Sequence, residues 1–319
     1  MYGVAHLTEF SGLPVVDFPP PSGDVPVPAA GDVAWRIWVD PYGDEKDERT
    51  WDEEFRSFLG TVDPAEVRAL IIGQWGEAYD RNSSYPISEI IAAADRLTSL
   101  EAIFVGDIEQ EQSEISWIEQ SDVTALLDTF PALVELGVRG GSGLVFPPVR
   151  HDRLRSLTIE SGGLPAEAVR GVLASEFPAL ERLDLWLGVS AYGGGTGVGD
   201  LAPLLSGARF PTLRHLGLRN SELENEIAAA MASAPVVAQL RVLDLSHGTL
   251  GDEGAAALLE GQPLTHLELL DLHHHFLTEP MERRVTEALE PYGVRVDLTQ
   301  REEPWGSGGP EGRYTTVAE

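Results

Sequence analysis

Apolar residues along this chain recur in short triplets of the form L-x-x-L-x-L. The clearest copies are Leu180/Leu183/Leu185, Leu213/Leu216/Leu218, Leu240/Leu243/Leu245 and Leu267/Leu270/Leu272. Earlier copies begin at Val67, Leu100, Leu133 and Leu154, and degenerate end copies are Ala34/Ile37/Val39 and Pro291/Val294/Val296. The alternation of the last two apolar positions predicts a short strand with one buried face.

Between the triplets, apolar residues spaced three or four apart predict helices. The predicted helices are Ser88 to Leu97, Asp122 to Phe130, Ala166 to Ser175, Glu226 to Ala234, Asp252 to Leu259 and Glu279 to Leu289. The triplets recur about every 20–35 residues, a spacing typical of repeat proteins, and give about ten units. One strand and one helix cannot bury their own apolar faces, so the units are expected to stack into an α/β solenoid.

Three segments carry a resemblance to a known family: LRVLDLSHGTLGDEGAAALL from residue 240, LRHLGLRNSEL from 213 and LERLDLWLG from 180. They resemble leucine-rich-repeat proteins of the ribonuclease-inhibitor-like class, as found in an uncharacterised bacterial family. The resemblance implies a horseshoe with a curved parallel sheet on its concave face and helices on its convex face. The chain departs from that family where it usually has asparagine, and instead has Gly141, Gly162, Gly188, Ser221, Gly248 and His275.

The two ends differ in composition from the repeats. Residues 1–32 include a proline-rich stretch and are expected to be extended and to cap the first repeat. Residues 33–298 form the repeat domain, and residues 299–319 are expected to be a disordered tail because they are polar and rich in glycine. The acidic run from Asp44 to Glu54 is interpreted as a solvated loop, with docking of a basic partner as the alternative.

Charge narrows the possible partners. The chain has 52 acidic and 22 basic residues, a net charge of -30, and no cysteine. Such a surface repels nucleic acid phosphates and anionic lipids, so neither nucleic acid nor membrane is expected as a partner. The N-terminal sequence lacks a signal-peptide pattern, and no apolar stretch approaches the roughly 20 residues of a membrane span. We therefore expect a cytoplasmic protein.

In a solenoid, the side chains between the buried strand positions point to the concave face. One predicted row contains Trp38, Phe104, Asp184, Asp244 and Asp271, and the next contains Trp186, Arg219 and His273. Aromatic and arginine side chains are enriched in protein interfaces, so these eight residues are the predicted partner-binding residues. The alternative is that the N-terminal segment covers Trp38 and Phe104. Trp186 with Arg219 is expected to form a cation–π contact, and Arg139 with Glu160 an ion pair.

His273, His274 and His275 are consecutive, which raises the question of a metal site. Successive strand residues face opposite ways, so the three are not expected to share one ion. A metal site would need His273 with Asp244 and Asp271, and a surface histidine beside a hydrogen-bonded turn is the favoured interpretation.

The predicted function is a non-enzymatic scaffold whose concave face binds a protein or peptide with a basic patch. No cofactor and no catalytic residue are predicted. One alternative is an accessory subunit of a bacterial biosynthetic enzyme. A less favoured one is a metal-dependent hydrolase that uses Asp244, Asp271 and His273.

Overall fold

A computed structural model describes residues 4–20, 27–42, 49–306 and 310–318. Its strands are β1 (Glu9–Phe10), β2 (Leu13–Phe18), β3 (Ala34–Val39), β4 (Ala69–Trp75), β5 (Ala102–Val105), β6 (Glu135–Arg139), β7 (Ser156–Glu160), β8 (Arg182–Gly188), β9 (His215–Ser221), β10 (Val242–Asp244), β11 (Leu269–Asp271) and β12 (Arg295–Asp297). They form one 12-stranded sheet in chain order. Only β1 and β2 pair antiparallel among them, and every other neighbouring pair is parallel. The fold is therefore mixed α/β.

The strand register aligns the apolar triplets. The middle residue of each triplet pairs with the middle residue of the next, in the column Leu70, Ile103, Leu136, Leu157, Leu183, Leu216, Leu243 and Leu270. All eight side chains are at most 1% exposed. One continuous core contains this column together with residues from the helices. The predicted strand positions are thus confirmed over β4–β11.

Eight α-helices connect the strands in the described part of the chain: α1 (Trp51–Thr61), α2 (Ser84–Ala92), α3 (Thr124–Thr129), α4 (Ala166–Ala174), α5 (Ala202–Leu205), α6 (Glu224–Met231), α7 (Asp252–Glu260) and α8 (Glu279–Leu289). Each of the six predicted helices overlaps an observed one, and α8 agrees at both ends. α1 was not predicted and contains the end of the acidic run. Trp51, Phe55 and Phe58 are all at most 2% exposed, because they occupy one face of this helix. Residues 44–48 of that run lie outside the described residues.

At both ends of the sheet, the register differs from the predicted repeat. Trp35, rather than Ile37, pairs with Leu70, and Val296, rather than Val294, pairs with Leu270. A shift of two residues keeps each side chain on the same face, because strand side chains alternate with a period of two. It changes the neighbours, however. Arg36 now lies beside Ile71, and Asp297 lies beside Asp271.

The N-terminal segment covers the start of the face that was predicted to be open. β2 pairs with β3 at the sheet edge, and β1 folds back on β2. Phe10 makes an edge-to-face contact with Phe104, with ring centroids 5.8 Å apart. Both rings belong to a second apolar cluster, whose other buried members are Ala34, Ala69, Ile71 and Ala102. Phe104 is 3% exposed, so its assignment as a partner-binding residue is wrong.

The end of the chain also differs from expectation. Residues 313–318 lie across the turns that follow several strands, and we call them the C-terminal strap. Thr315, Thr316 and Val317 are at most 7% exposed. The main chain of Val317 is held by Asn220, whose Oδ1 accepts from the Val317 N–H at 3.0 Å and whose amide nitrogen donates to the Val317 carbonyl.

Two further hydrogen bonds hold the strap residues on either side of Val317. The Thr316 N–H donates to the carbonyl of His247 at 2.8 Å, and the hydroxyl of Ser116 donates to the carbonyl of Ala318. The prediction of a disordered tail therefore does not hold for this segment. Its main-chain groups bond to turns from distant parts of the sequence, which a composition argument cannot detect.

Substitution of Phe104 by alanine tests whether this ring is core. Loss of a buried aromatic side chain costs about 3–5 kcal/mol, so the free energy of unfolding is expected to fall by that amount in urea titration. Tyr292→Ala is the control, because Tyr292 is 69% exposed and its removal is expected to change stability by less than about 0.5 kcal/mol. Equal stabilities of the two variants would contradict the burial of Phe104.

Asn220→Gly tests the attachment of the strap. Asn220 has a φ of 53°, which glycine adopts without strain, so only the side-chain amide is lost. Each hydrogen bond contributes about 1 kcal/mol, so amide exchange of residues 313–318 is expected to accelerate on the order of 10-fold or more in hydrogen–deuterium exchange mass spectrometry. Asn82→Gly, at an exposed position before α2, should leave this exchange unchanged.

Candidate functional site

The eight predicted binding residues are not equally accessible. Trp38, Arg219, Asp271 and His273 are partly exposed, whereas Phe104, Asp184, Trp186 and Asp244 are buried. Six of the eight, all except Trp38 and Phe104, are connected by direct contacts or through His247 on the polar and aromatic face of the later strands. The buried ones cannot act as free partner anchors, because their contacts are made within the chain.

Arg219 on β9 links the carboxylates of the two flanking strands. Its Nη1 lies 3.2 Å from Asp184 on β8, and its Nε lies 3.3 Å from Asp244 on β10. The guanidinium also lies 5.0 Å from the ring centroid of Trp186, which confirms the expected cation–π pair. Burial by itself lowers the pKa of Arg219, but the two carboxylates outweigh it and the pKa is raised. Arg219 therefore remains charged and fixes three neighbouring side chains.

Gly217 separates the two carboxylates that Arg219 binds. It pairs with Asp184 on one side and with Asp244 on the other. Burial, followed by the nearby carboxylates of Asp184 and Asp271, raises the pKa of Asp244 to about 6. His215 lies two residues before Gly217 on the same face, and burial followed by the charge of Arg182 lowers the pKa of His215 to about 4. The imidazole of His215 is therefore neutral at pH 7.

A chain of hydrogen bonds runs from β11 to the C-terminal strap. Nδ1 of His273 donates to Oδ1 of Asp271 at 2.7 Å, and Nε2 of His273 lies 2.9 Å from Nε2 of His247. Nδ1 of His247 is 2.9 Å from the hydroxyl oxygen of Thr316. Burial lowers the pKa of His273, but the bond to Asp271 outweighs burial and raises it overall. Burial, followed by the charge of Arg219, lowers the pKa of His247 to about 2.

The next two histidines serve the turn, as the sequence predicted. Nε2 of His274 donates to the Tyr314 carbonyl at 3.1 Å. His275 accepts the Leu277 N–H at Nδ1 and donates from Nε2 to the Leu298 carbonyl at 3.0 Å. Burial lowers the pKa of both rings. His275 thus makes the backbone bonds expected of asparagine at that turn position.

The three residues that the less favoured metal site would need do not come together as one set. The atoms of Asp271 and His273 that could hold an ion lie near Asp297, whereas Asp244 groups with Asp184 and His215. The two-residue shift at β12 accounts for Asp297, because it places that residue directly beside Asp271. The structure therefore groups Asp271 and His273 with Asp297 and not with Asp244.

Sequence reasoning did not identify Asp107, which organises the opposite end of the face. Its carboxylate accepts from Arg36 at 2.8 Å, from Arg139 at 3.2 Å and from the main-chain N–H of Leu7 at 3.1 Å. Arg139 also donates to Glu160 at 2.7 Å, so that expected pair is confirmed, although Arg139 is only 1% exposed. These groups hold the N-terminal segment on the sheet. The signal that could have found Asp107 is an acidic residue directly after an apolar strand.

A cavity of about 880 Å³ lies between the strap and the turns after the later strands. The described residues that line it include three carboxylates, one guanidinium and three rings of tyrosine or tryptophan: Glu222, Glu302, Glu311, Arg313, Tyr192, Trp305 and Tyr314. The hydroxyl of Tyr314 donates to Glu302 at 2.8 Å, and Trp305 is 74% exposed at the rim. Acidic and aromatic groups in one cavity suit a cationic or partly apolar side chain.

Comparisons with known proteins support the architecture. No protein-family profile matches the chain, and no curated protein matches it. The crystal structure of a Bacteroides fragilis protein, determined as a structural genomics target, is similar to this chain with a TM-score of 0.80 and 29% sequence identity. The match covers 90% of this chain and 78% of the Bacteroides fragilis chain. In the described part of the chain, no helix combines the length and apolarity needed to cross a membrane.

The low pKa of His247 predicts a pH-dependent stability. Below pH 6.5 the unfolded chain takes up a proton that the folded chain does not, so stability should fall as the pH drops toward the folded pKa of about 2. The contribution is at most about 1.4 kcal/mol per pH unit. His247→Asn, which tolerates the φ of 66° at this position, should flatten the slope between pH 6 and 4 in urea titrations.

Thr316→Val is the matched control for that experiment. It removes the hydroxyl partner of His247 and keeps the imidazole, so the steep slope should remain. A wild-type slope equal to that of His247→Asn would contradict the burial of a neutral imidazole at this position.

Proposed function

We propose that this protein is a non-enzymatic scaffold of the leucine-rich-repeat type, with about ten repeats in a horseshoe, that binds a protein or peptide carrying basic side chains. The aligned column of triplet residues and the parallel order of the strands support the repeat assignment. The contact surface we assign is the polar face of β9–β12. Its partly exposed polar residues are His215, Arg219, Asp271, His273 and Asp297, and Arg295 is exposed on the same face at β12.

We choose this surface because the side chains of the polar face are not equally accessible along the sheet. β1 and β2 cover the beginning of the face and bury Phe104. The central side chains Asp184 and Trp186 are buried by their own contacts. Towards β12, by contrast, the side chains of His273 and Asp271 retain 18% and 16% of their accessible surface. A partner can therefore reach the carboxylates of the last strands without displacing any segment.

Charge supports a basic partner. The face presents Asp271 and Asp297 side by side, and the whole chain carries a net charge of -30. Complementary charge speeds encounter and disfavours acidic partners. The cavity beside the strap, with Glu222 and Glu302 among its lining residues, lies next to the same strand ends and offers a place for an additional side chain.

A fluorescent nona-arginine peptide tests the proposed surface. The double variant Asp271→Asn with Asp297→Asn removes two carboxylates from the face, so affinity in fluorescence anisotropy at low salt should fall by about 10-fold, with a weaker dependence on salt. Circular dichroism verifies that the fold is retained.

The matched control is Glu287→Gln with Glu290→Gln, which removes two exposed carboxylates at the end of α8. The control should bind the peptide nearly as well as the wild type. If both double variants lose the same affinity, binding is spread over the whole acidic surface and the assigned face is wrong.

A further inference from the structure

We propose that Asp184, His215 and Asp244 form a binding site for a divalent transition-metal ion of the zinc class. The three residues lie on the neighbouring strands β8, β9 and β10. Each offers one ligand atom, and these atoms all lie within 4.8 Å of one another. One imidazole nitrogen with two carboxylate oxygens is a ligand set that zinc and similar ions accept, with water completing the coordination.

Gly217 provides the space for the ion. It lies on β9 directly between Asp184 and Asp244, and it carries no side chain over the sheet at that point. A Cβ at this position would lie 2.9 Å from both Cγ and Oδ1 of Asp184. Any larger residue would therefore push the carboxylate out of the place where the three ligand groups converge.

Asp184 supplies the observation that points to a ligand. Its side chain is only 9% exposed, and its Oδ2 binds Arg219. Its other oxygen, Oδ1, is buried and has no hydrogen-bond partner among the described residues. A buried carboxylate oxygen without a partner is costly, and a bound cation would satisfy it.

The two nearby arginines are compatible with an ion. Arg219 contacts Oδ2 of Asp184 and Oδ2 of Asp244, so it orients both carboxylates from the side. Arg182 lies 3.1 Å from ring nitrogens of His215, and it would have to move away for that ring to bind a metal. Since Arg182 is exposed, this movement costs little.

The second cluster, Asp271 with His273 and Asp297, is a weaker candidate. Both nitrogens of His273 are already bonded, to Asp271 and to His247. Oδ1 of Asp297 accepts from both the main chain and the hydroxyl of Thr299. An ion there would have to break hydrogen bonds at all three residues. At the favoured site, Oδ1 of Asp184 has no hydrogen-bond partner to lose, and the contact to be given up at His215 is that with the exposed Arg182.

Zinc titration by isothermal calorimetry, on the full chain dialysed against a chelator, tests the site. We expect one ion per chain in the wild type. His215→Gln removes the nitrogen ligand, and Gly217→Ala keeps all three ligands but displaces the carboxylate of Asp184. Each substitution should weaken zinc binding by about 10-fold or more, the scale on which site geometry controls metal affinity.

Arg182→Gln separates loss of the site from loss of the fold. It frees the ring nitrogen of His215 and removes a positive charge, so zinc should bind several-fold more tightly, a gain that misfolding cannot produce. His273→Gln is the control and should bind like the wild type. The proposal is overturned if the wild type binds no zinc, if Gly217→Ala binds normally, or if His273→Gln is the variant that loses the ion. No peptide is present in this assay, so its outcome is independent of the proposed partner.

Discussion

The parallel register of the leucine column is the constraint on which the rest of this structure depends. Each of the eight strands β4–β11 contributes one buried residue to the column from Leu70 to Leu270, and the helices close the core over it. Once these residues are aligned, the residues between them must point to the opposite face at a spacing of about 4.8 Å. The polar face is thus a consequence of the apolar one. Asp184, Gly217 and Asp244 become neighbours because their leucines are neighbours.

Charge on that face is organised around two side chains, Asp107, which is fully buried, and Arg219, which is 17% exposed. Asp107 collects Arg36 and Arg139 under the N-terminal segment, and Arg219 collects Asp184 and Asp244 farther along the sheet. In both places one charged side chain is surrounded by side chains of opposite charge, which a charge removed from water requires. These networks fix side-chain positions and leave the later strands as the accessible part of the face. The proposed partner surface and the proposed metal site share His215 and otherwise use different members of the same rows.

The N-terminal hairpin and the C-terminal strap are structural parts of the sheet and its turns. The N-terminal hairpin covers an apolar patch that would otherwise be exposed at the first strands, with Phe10 against Phe104. The C-terminal strap bonds to the turns through Asn220 and His247, so it closes the edge where the strands end.

The sequence by itself determined the strands from β3 to β12, most helices and the face on which the side chains of those strands lie, because a period of two and a recurring triplet are local properties. It therefore predicted the Trp186–Arg219 contact, the Arg139–Glu160 pair and the separate roles of His273 and His275. Only the tertiary structure decided which of those side chains are accessible. Burial of Phe104, the attachment of the strap and the pairing of Asp271 with Asp297 depend on segments far apart in the chain. No local sequence pattern indicates such contacts. At the end strands the repeat is degenerate, and a shift of two residues there changes the neighbours of each side chain while leaving the alternation unchanged.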